Sequence, residues 1–267
     1  MIDLTDATFI IPLRIDSSDR LRNVITSLCY IYSNFLTQII IKEVSEEPFF
    51  YNVALPQIKE FCGKDFVILD YEHVKTESPV FHRQKIINEM LHKVDTKVTV
   101  NYDCDVLLPR NVYEDSVELI LTDDADVVYP YGDGEYQKQV FADDALVSEF
   151  LNSNFDFKIL DRKSRYYDAK YGFVQFFNTN SYIEGGGENE NFVAYAPEDV
   201  ERYYRFNTLG YKVKRLNNII YHLEHARTPN SWFTNPHREQ NELEWEKVSG
   251  MNKEQLLDYV KNGNYFR

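Results

Sequence analysis

The chain has 267 residues, enough for one large domain or two small ones around a substantial core. Hydrophobic residues make up 43% and there are 20 Tyr and 18 Phe, which excludes a disordered chain, while a net charge of −14 argues against nucleic acid as the main partner and gives no general attraction to anionic lipid. Three scattered cysteines (Cys29, Cys62, Cys104) exclude a disulfide framework and fit a reducing compartment.

Thr8 to Leu13 reads as a buried strand. Ser17 and Ser18 are good helix N-caps, and Leu21, Val24, Ile25 and Leu28 follow at helical spacing. Gln38 to Val44 is a second strand, and Phe66 to Leu69 a short third that ends at Asp70. Ile86, Ile87, Met90 and Leu91 mark one face of a helix starting near Arg83. Lys97 to Tyr102 is a strand, Asn111 to Leu121 a helix, and Asp126 to Tyr129 another strand. The stretch from Gly132 to Tyr167 includes a helix over Asp143 to Leu151 and is either an insertion covering a substrate or an ordinary surface excursion. Phe173 to Phe177 is a strand. A helix from about Pro197 to Leu209 stops at Gly210, and Ile219 to Tyr221 is an apolar strand. Beyond Trp232, helical patterns appear at Glu239 to Val248 and Lys253 to Val260. Strands alternating with helices predict an α/β fold with a mostly parallel central sheet flanked by helices. No basic leader and no apolar run of membrane-spanning length stands out, so the expectation is a cytoplasmic protein, with peripheral contact at the inner face of a membrane left open.

The chemistry centres on Asp103-Cys104-Asp105, where a β-branched run delivers two carboxylates to the carboxyl edge of a sheet. That edge is where open α/β sheets bind ligands. Hard oxygens there suit Mn²⁺ or Mg²⁺, ions that share their coordination with substrate phosphates. Paired acids also occur as solvated turn residues. Three further positions fit a phosphate-bearing ligand. Pro12, Arg14 and Asp16 follow the first strand. Asp70 could accept the imide N–H of uracil, and Arg83 offers a cation at a helix start. For each there is a plain alternative as a turn or surface residue. Downstream, Pro197 suits a first helical turn, where Glu198 and Asp199 would be held ionised by backbone N–H groups and the macrodipole. An ionised carboxylate so placed can act as a general base if it lines a pocket, and helix geometry allows either one. His222, near a strand end, is a good partner for carboxylates around Mn²⁺, and His225 offers the same chemistry in another direction.

Taken in order, Pro12-Leu13-Arg14, Asp70, Arg83, Asp103-Cys104-Asp105, Gly172-Phe173-Val174-Gln175-Phe176-Phe177, Gly185-Gly186-Gly187, Glu198-Asp199 and Tyr221-His222 resemble an inverting glycosyltransferase of the GT-A, Rossmann-like fold. The second half is similar to the galactosyltransferase-like region of β-1,4-galactosyltransferases and bacterial chondroitin-type polymerases, except that Ala194-Tyr195-Ala196-Pro197 stands in place of a Trp-Gly-Gly stretch. The resemblance implies a glycosyltransferase domain over residues 1–235, with a nucleotide-binding half over 1–109 and an acceptor and catalytic half over 110–235, then a helical extension over 236–267. It implies Asp105 and His222 as metal ligands, and Asp103 as a ribose contact or a ligand through water. Asp70 would read uracil, Gly186 would line the nucleotide-sugar site, Asp199 would be the base and Glu198 would position the acceptor. It further implies a UDP-sugar donor, with galactose favoured, and a glycan or glycolipid acceptor in surface polysaccharide synthesis. Two other readings compete: a nucleotidyltransferase, whose Gly- and Lys-rich first loop is missing from Arg14-Ile15-Asp16-Ser17-Ser18, and a non-catalytic carbohydrate-binding domain.

Overall fold

A computed structural model describes residues 1–63, 69–227 and 234–266. The first half runs β1 (Ile2–Leu13), α1 (Ser18–Asn34), β2 (Phe35–Ser45), a π-helical turn (Phe50–Ala54), α2 (Leu55–Cys62), β3 (Leu69–Lys75), α3 (Arg83–Leu91), β4 (Val98–Tyr102) and β5 (Val106–Leu107). The second half runs α4 (Arg110–Leu121), β6 (Val127–Tyr129), β7 (Gln137–Val140), α5 (Asp144–Asn152), α6 (Phe157–Asp161), β8 (Ser164–Tyr166), β9 (Val174–Asn178) and α7 (Thr179–Glu184). It closes with α8 (Glu198–Leu209), β10 (Val213–Arg215), β11 (Ile220–Leu223), α9 (Arg238–Ser249) and α10 (Lys253–Asn262).

Seven strands form the central sheet in the order β10-β6-β9-β4-β1-β2-β3. The pairings β4-β1-β2-β3 and β10-β6 are parallel, and β9 runs antiparallel to both of its neighbours. The apolar run in β1 is buried on both faces, as a sheet covered on each side requires. Phe9, Ile11 and Leu13 join the core formed with α1 and α4, whereas Ile10 faces the second core against α3 and α8. Ile39 and Ile41 of β2 follow the first side, and Ile40 the second. Ser17 caps α1, accepting from the Arg20 N–H at 3.2 Å.

A second sheet, β5-β11-β7-β8, is built from both halves of the chain. The stretch from Gly132 to Tyr167 therefore is no loose excursion, because β7 pairs in parallel with β11 over Gln139 and His222. The expected third strand at Phe66 to Leu69 lies almost wholly outside the described residues. The strand observed there begins at Leu69 and continues to Lys75. Helices α9 and α10 pack on α8 through Leu209, Val248 and Leu256. Among the described residues no helix is long and apolar enough to cross a membrane.

Candidate active site

Sheet pairing explains why two distant segments meet. After β4 the chain turns tightly through Asp103-Cys104-Asp105 into β5, which pairs antiparallel with β11 and sets Val106 opposite His222. The Asp105 carbonyl also accepts from the Leu223 N–H at 2.8 Å. In consequence the Asp105 Oδ2 lies 3.7 Å from His222 Nε2 and 3.3 Å from His225 Nε2. One ligand atom from each of Asp105, His222 and His225 falls within 4.8 Å of the others.

The donor set fits a hard divalent cation that keeps open positions for other oxygens. The outward nitrogens of both imidazoles face a polar neighbour, although that of His222 makes no hydrogen bond among the described residues. His225 Nδ1 lies 2.9 Å from the Ala226 carbonyl, and His222 Nδ1 lies 3.2 Å from Glu224 Oε1. The carbonyl on Nδ1 of His225 favours the tautomer that leaves its Nε2 free to face inward. Without a cation, His222 is pushed up to about 9: burial opposes this, but the Asp105 and Glu224 carboxylates outweigh it. Glu224 is held down to about 2, where burial is outweighed chiefly by His222. Asp105 is driven well below the usual carboxylate range by the two histidines, against the effect of burial.

Asp103 turns away from this triad. Its Oδ1 accepts from Arg83 Nη2 at 2.7 Å, and the same nitrogen donates to Asn101 Oδ1 at 3.1 Å. Burial, with help from Asp105 and Asp199, raises the Asp103 carboxyl despite Arg83. The Arg83 Nη1 is buried and has no hydrogen-bond partner among the described residues. The loop leading to Arg83 also walls a cavity of about 560 Å³ at the carboxyl ends of β1, β2 and β3. Asp16, Ser45, Glu46, Phe49, Thr76 and Glu77 are among its lining residues.

At the start of α8, Glu198 and Asp199 are separated by environment. Glu198 is 8% exposed, and burial together with Asp199 raises its carboxyl well above the ordinary value. Its Oε2 accepts from the Ala196 N–H at 3.1 Å. The Asp199 side chain is 28% exposed, its Oδ1 taking a 2.9 Å bond from Arg202 Nη1. Its Oδ2 lies so close to Gly172 that a Cβ there would approach to 2.9 Å. The next residue, Phe173, accepts from the Asp103 N–H at 2.9 Å and sets its ring 5.2 Å from that of His222. Gly172-Phe173 thus joins the base candidate to the acidic turn and the histidines.

Four of the expected positions have protein partners or packing of their own in the structure. Asp70 lies near the start of β3 instead of past its end, level with Ile40 of β2, and pairs with Lys93 at 3.0 Å. It therefore stands away from the carboxyl edge where the cavity opens. Arg14 lines the cavity, but all three guanidinium nitrogens are committed to backbone: Nε to Val44 O at 2.9 Å, Nη1 to Pro79 O at 2.9 Å and Nη2 to Ser78 O at 3.0 Å. These three bonds brace the pocket wall. Gly186 is buried against the chain's C-terminal segment, where an added Cβ would meet Val260 Cγ1 at 2.6 Å. Its role is close backbone approach, with Phe266 N–H bonding to its carbonyl at 2.9 Å. Asp103 gives way to His225 in the ligand triad, because its carboxylate is drawn to Arg83. Pro12 sits inside β1 opposite Lys42, and Asp16 lines the cavity while pairing with Arg20 at 3.1 Å.

Glu188, Arg202, Gln175 and Glu224 were not singled out by the sequence reading. Two had a signal: His222 and Glu224 are two apart at a strand end, and Asp199 and Arg202 are three apart on a helix. Glu188 had none and Gln175 only its place in the Gly172 to Phe177 run, since the fold alone brings them to Arg202.

No family model and no curated protein matches the chain. Solved structures match in fold. Mannosyltransferase PcManGT from Pyrobaculum calidifontis, in complex with GDP-Man and Mn²⁺, aligns with a TM-score of 0.56 at 11% identity, over 97% of this chain and 70% of that one. GalNAc-T7 with UDP, GalNAc and Mn²⁺ aligns with a TM-score of 0.58 at 12% identity, over 95% of this chain and 50% of that one, so this chain spans half of that protein's length. At these identities the likeness establishes the architecture: the chain has the GT-A fold.

Proposed function

We propose that the protein is a divalent-cation-dependent glycosyltransferase that moves a sugar from a nucleoside diphosphate donor to a hydroxyl of a glycan or glycolipid. The observation that carries the proposal is the meeting of Asp105, His222 and His225 at the sheet edge, one short segment away from the Asp199 carboxylate. The cavity at the ends of β1 to β3 is of the size that nucleotides occupy. Both similar folds bind Mn²⁺ and nucleotides, one with GDP-Man and one with UDP. A UDP-sugar of galactose type, an inverting course and surface polysaccharide synthesis rest on the sequence resemblance, and a cytoplasmic site of action on the few scattered cysteines and the lack of a basic leader or long apolar run.

In this reading Asp105, His222 and His225 hold the cation, which when bound neutralises charge on the departing diphosphate. Asp103 contacts the donor beside them. Arg83 keeps Asp103 oriented, and its spare Nη1 donates to an oxygen of the donor. Asp199 accepts the proton of the acceptor hydroxyl as that oxygen bonds to the anomeric carbon and the bond from that carbon to the diphosphate oxygen breaks. Glu198, whose burial favours the protonated acid, orients the chain before the helix through the Ala196 N–H.

A thermal-shift screen of UDP and GDP, with and without Mn²⁺, tests the reading directly. A ligand at 100 times its dissociation constant stabilises the fold by about 2.7 kcal/mol. The expected result is a rise in melting temperature for one nucleotide that requires Mn²⁺ and disappears in Asp105→Ala. Equal melting curves for wild type and Asp105→Ala under all conditions would remove the metal from the proposal.

A further inference from the structure

Behind Asp199 lies a closed ring of polar contacts that the proposed chemistry does not itself require. Arg202 is fully buried. Its Nε and Nη2 grip both oxygens of the equally buried Glu188, at 2.7 and 2.8 Å. Glu188 is fixed in turn by the Tyr182 hydroxyl on Oε1 and by Asn88, which bonds its backbone N–H at 2.9 Å and its carbonyl at 3.0 Å. A guanidinium tied bidentately on one side has a fixed orientation, so its remaining nitrogen points in one direction only. That nitrogen, Nη1, donates to Asp199 Oδ1 at 2.9 Å and to Gln175 Oε1 at 3.0 Å.

Gln175 closes the ring. Its Nε2 donates to the Gly172 carbonyl at 2.7 Å and to the Tyr171 carbonyl at 2.8 Å. Gly172 then meets the other oxygen of Asp199, leaving no room for a Cβ. One oxygen of Asp199 is thus held by Arg202 and the other rests on a bare Cα, and Gln175 sets the distance between the two supports.

We infer that Arg202 and Gln175 are positioning residues which, with Gly172 as a seat, fix the Asp199 carboxylate in the orientation that takes the acceptor proton. The inference rests on Asp199 being the base, as proposed above. It assigns the buried Glu188–Arg202 pair to aiming a catalytic group, in addition to any part in stability.

The test uses Gly172→Ala and Arg202→Lys, each made in wild type and in Asp199→Asn. Lysine keeps the charge but lacks the fork that reaches Glu188, Gln175 and Asp199 together. Crystal structures report the Asp199 orientation, and release of UDP from UDP-galactose with Mn²⁺ and water as acceptor reports turnover. We expect the carboxylate to rotate in both variants, kcat to fall about 10- to 100-fold for a displacement near 1 Å, and the KM for UDP-galactose and the Mn²⁺ affinity to hold. In the Asp199→Asn background the added losses vanish. An unmoved carboxylate in both crystal structures overturns the inference, and so do losses that persist undiminished in Asp199→Asn. Should Arg202→Lys fail to fold, Gly172→Ala alone decides, since its only close contact is the tip of Asp199. If Asp199→Asn by itself keeps full turnover, the base assignment falls. If wild type spares UDP-galactose, the donor assignment falls and the crystal structures still decide the positioning.

Discussion

Two adjacent carboxylates at the start of α8 have different surroundings, and this gives them different chemistry. Glu198 is buried, which together with Asp199 raises its carboxyl well above the ordinary value, whereas Asp199 is part-exposed and bonded to an arginine. Environment, more than residue type, sets which of two acids can accept a proton. Asp199→Asn is expected to lower turnover about 10²- to 10⁴-fold, with UDP affinity unchanged by calorimetry. Glu198→Gln imitates the neutral acid and should keep far more activity in the same assay; an equal loss would undo the division of roles. The metal site carries its own pH signature. His222 is protonated up to about 9 in the metal-free protein, and an imidazole must be neutral to bind a cation. Mn²⁺ affinity should therefore climb as pH rises from 6 toward 9, with proton release visible as a buffer-dependent binding enthalpy. His225→Ala and His222→Ala should each weaken Mn²⁺ more than Glu224→Gln, for which about 10- to 100-fold is the ordinary effect of an outer partner.

At the scale of elements, the glycine-rich loop after α7 and the segment after α10 form one structural unit behind the site. Arg205, buried like Arg202, bonds the Gly185 carbonyl and, at 2.8 Å, the Gly187 carbonyl. Its Nε pairs with Glu201 at 2.8 Å, and the Tyr265 hydroxyl donates to the same Glu201 oxygen at 2.9 Å. The loop thus fixes the backbone of Glu188 and, through it, Arg202. Gly186 has a left-handed φ of +94° with no space for a side chain, while Gly134, at +79°, has open space around it. Gly186→Ala should destabilise by more than the roughly 1 kcal/mol that strained backbone alone costs, and Gly134→Ala by about that amount. Melting temperatures of the two variants compare them directly; equal shifts would mean that the tail packs more loosely than the contacts imply.

For the whole molecule, the second sheet is the device that unites the site. It takes β5 from the first half and β11, β7 and β8 from the second, so neither half contains the ligand triad alone. If cation and nucleotide meet there, their binding is linked, and each must raise the other's affinity by the same factor. Titrating Mn²⁺ with and without UDP, then UDP with and without Mn²⁺, should return one coupling constant, which Asp105→Ala brings to unity.

By itself the sequence determined the local elements and the types of chemistry on offer. Apolar β-branched runs of strand length, helical spacing bounded by Ser17 and Gly210, and carboxylates at the ends of such runs are written in neighbouring residues, and local energetics enforce them. The meeting of Asp105 with His222 was legible through the family pattern. Only the tertiary structure decided strand direction, such as the reversed β9, and side-chain partners between distant segments. It set His225 beside Asp105 and His222, bonded Arg14 to backbone carbonyls, paired Asp70 with Lys93, and buried Gly186 under the C-terminal segment. The physical reason is that a charged side chain's role follows from which opposite charge or carbonyl lies within about 3 Å of it, and that distance is set by how segments far apart in the chain pair and pack, which no local pattern encodes.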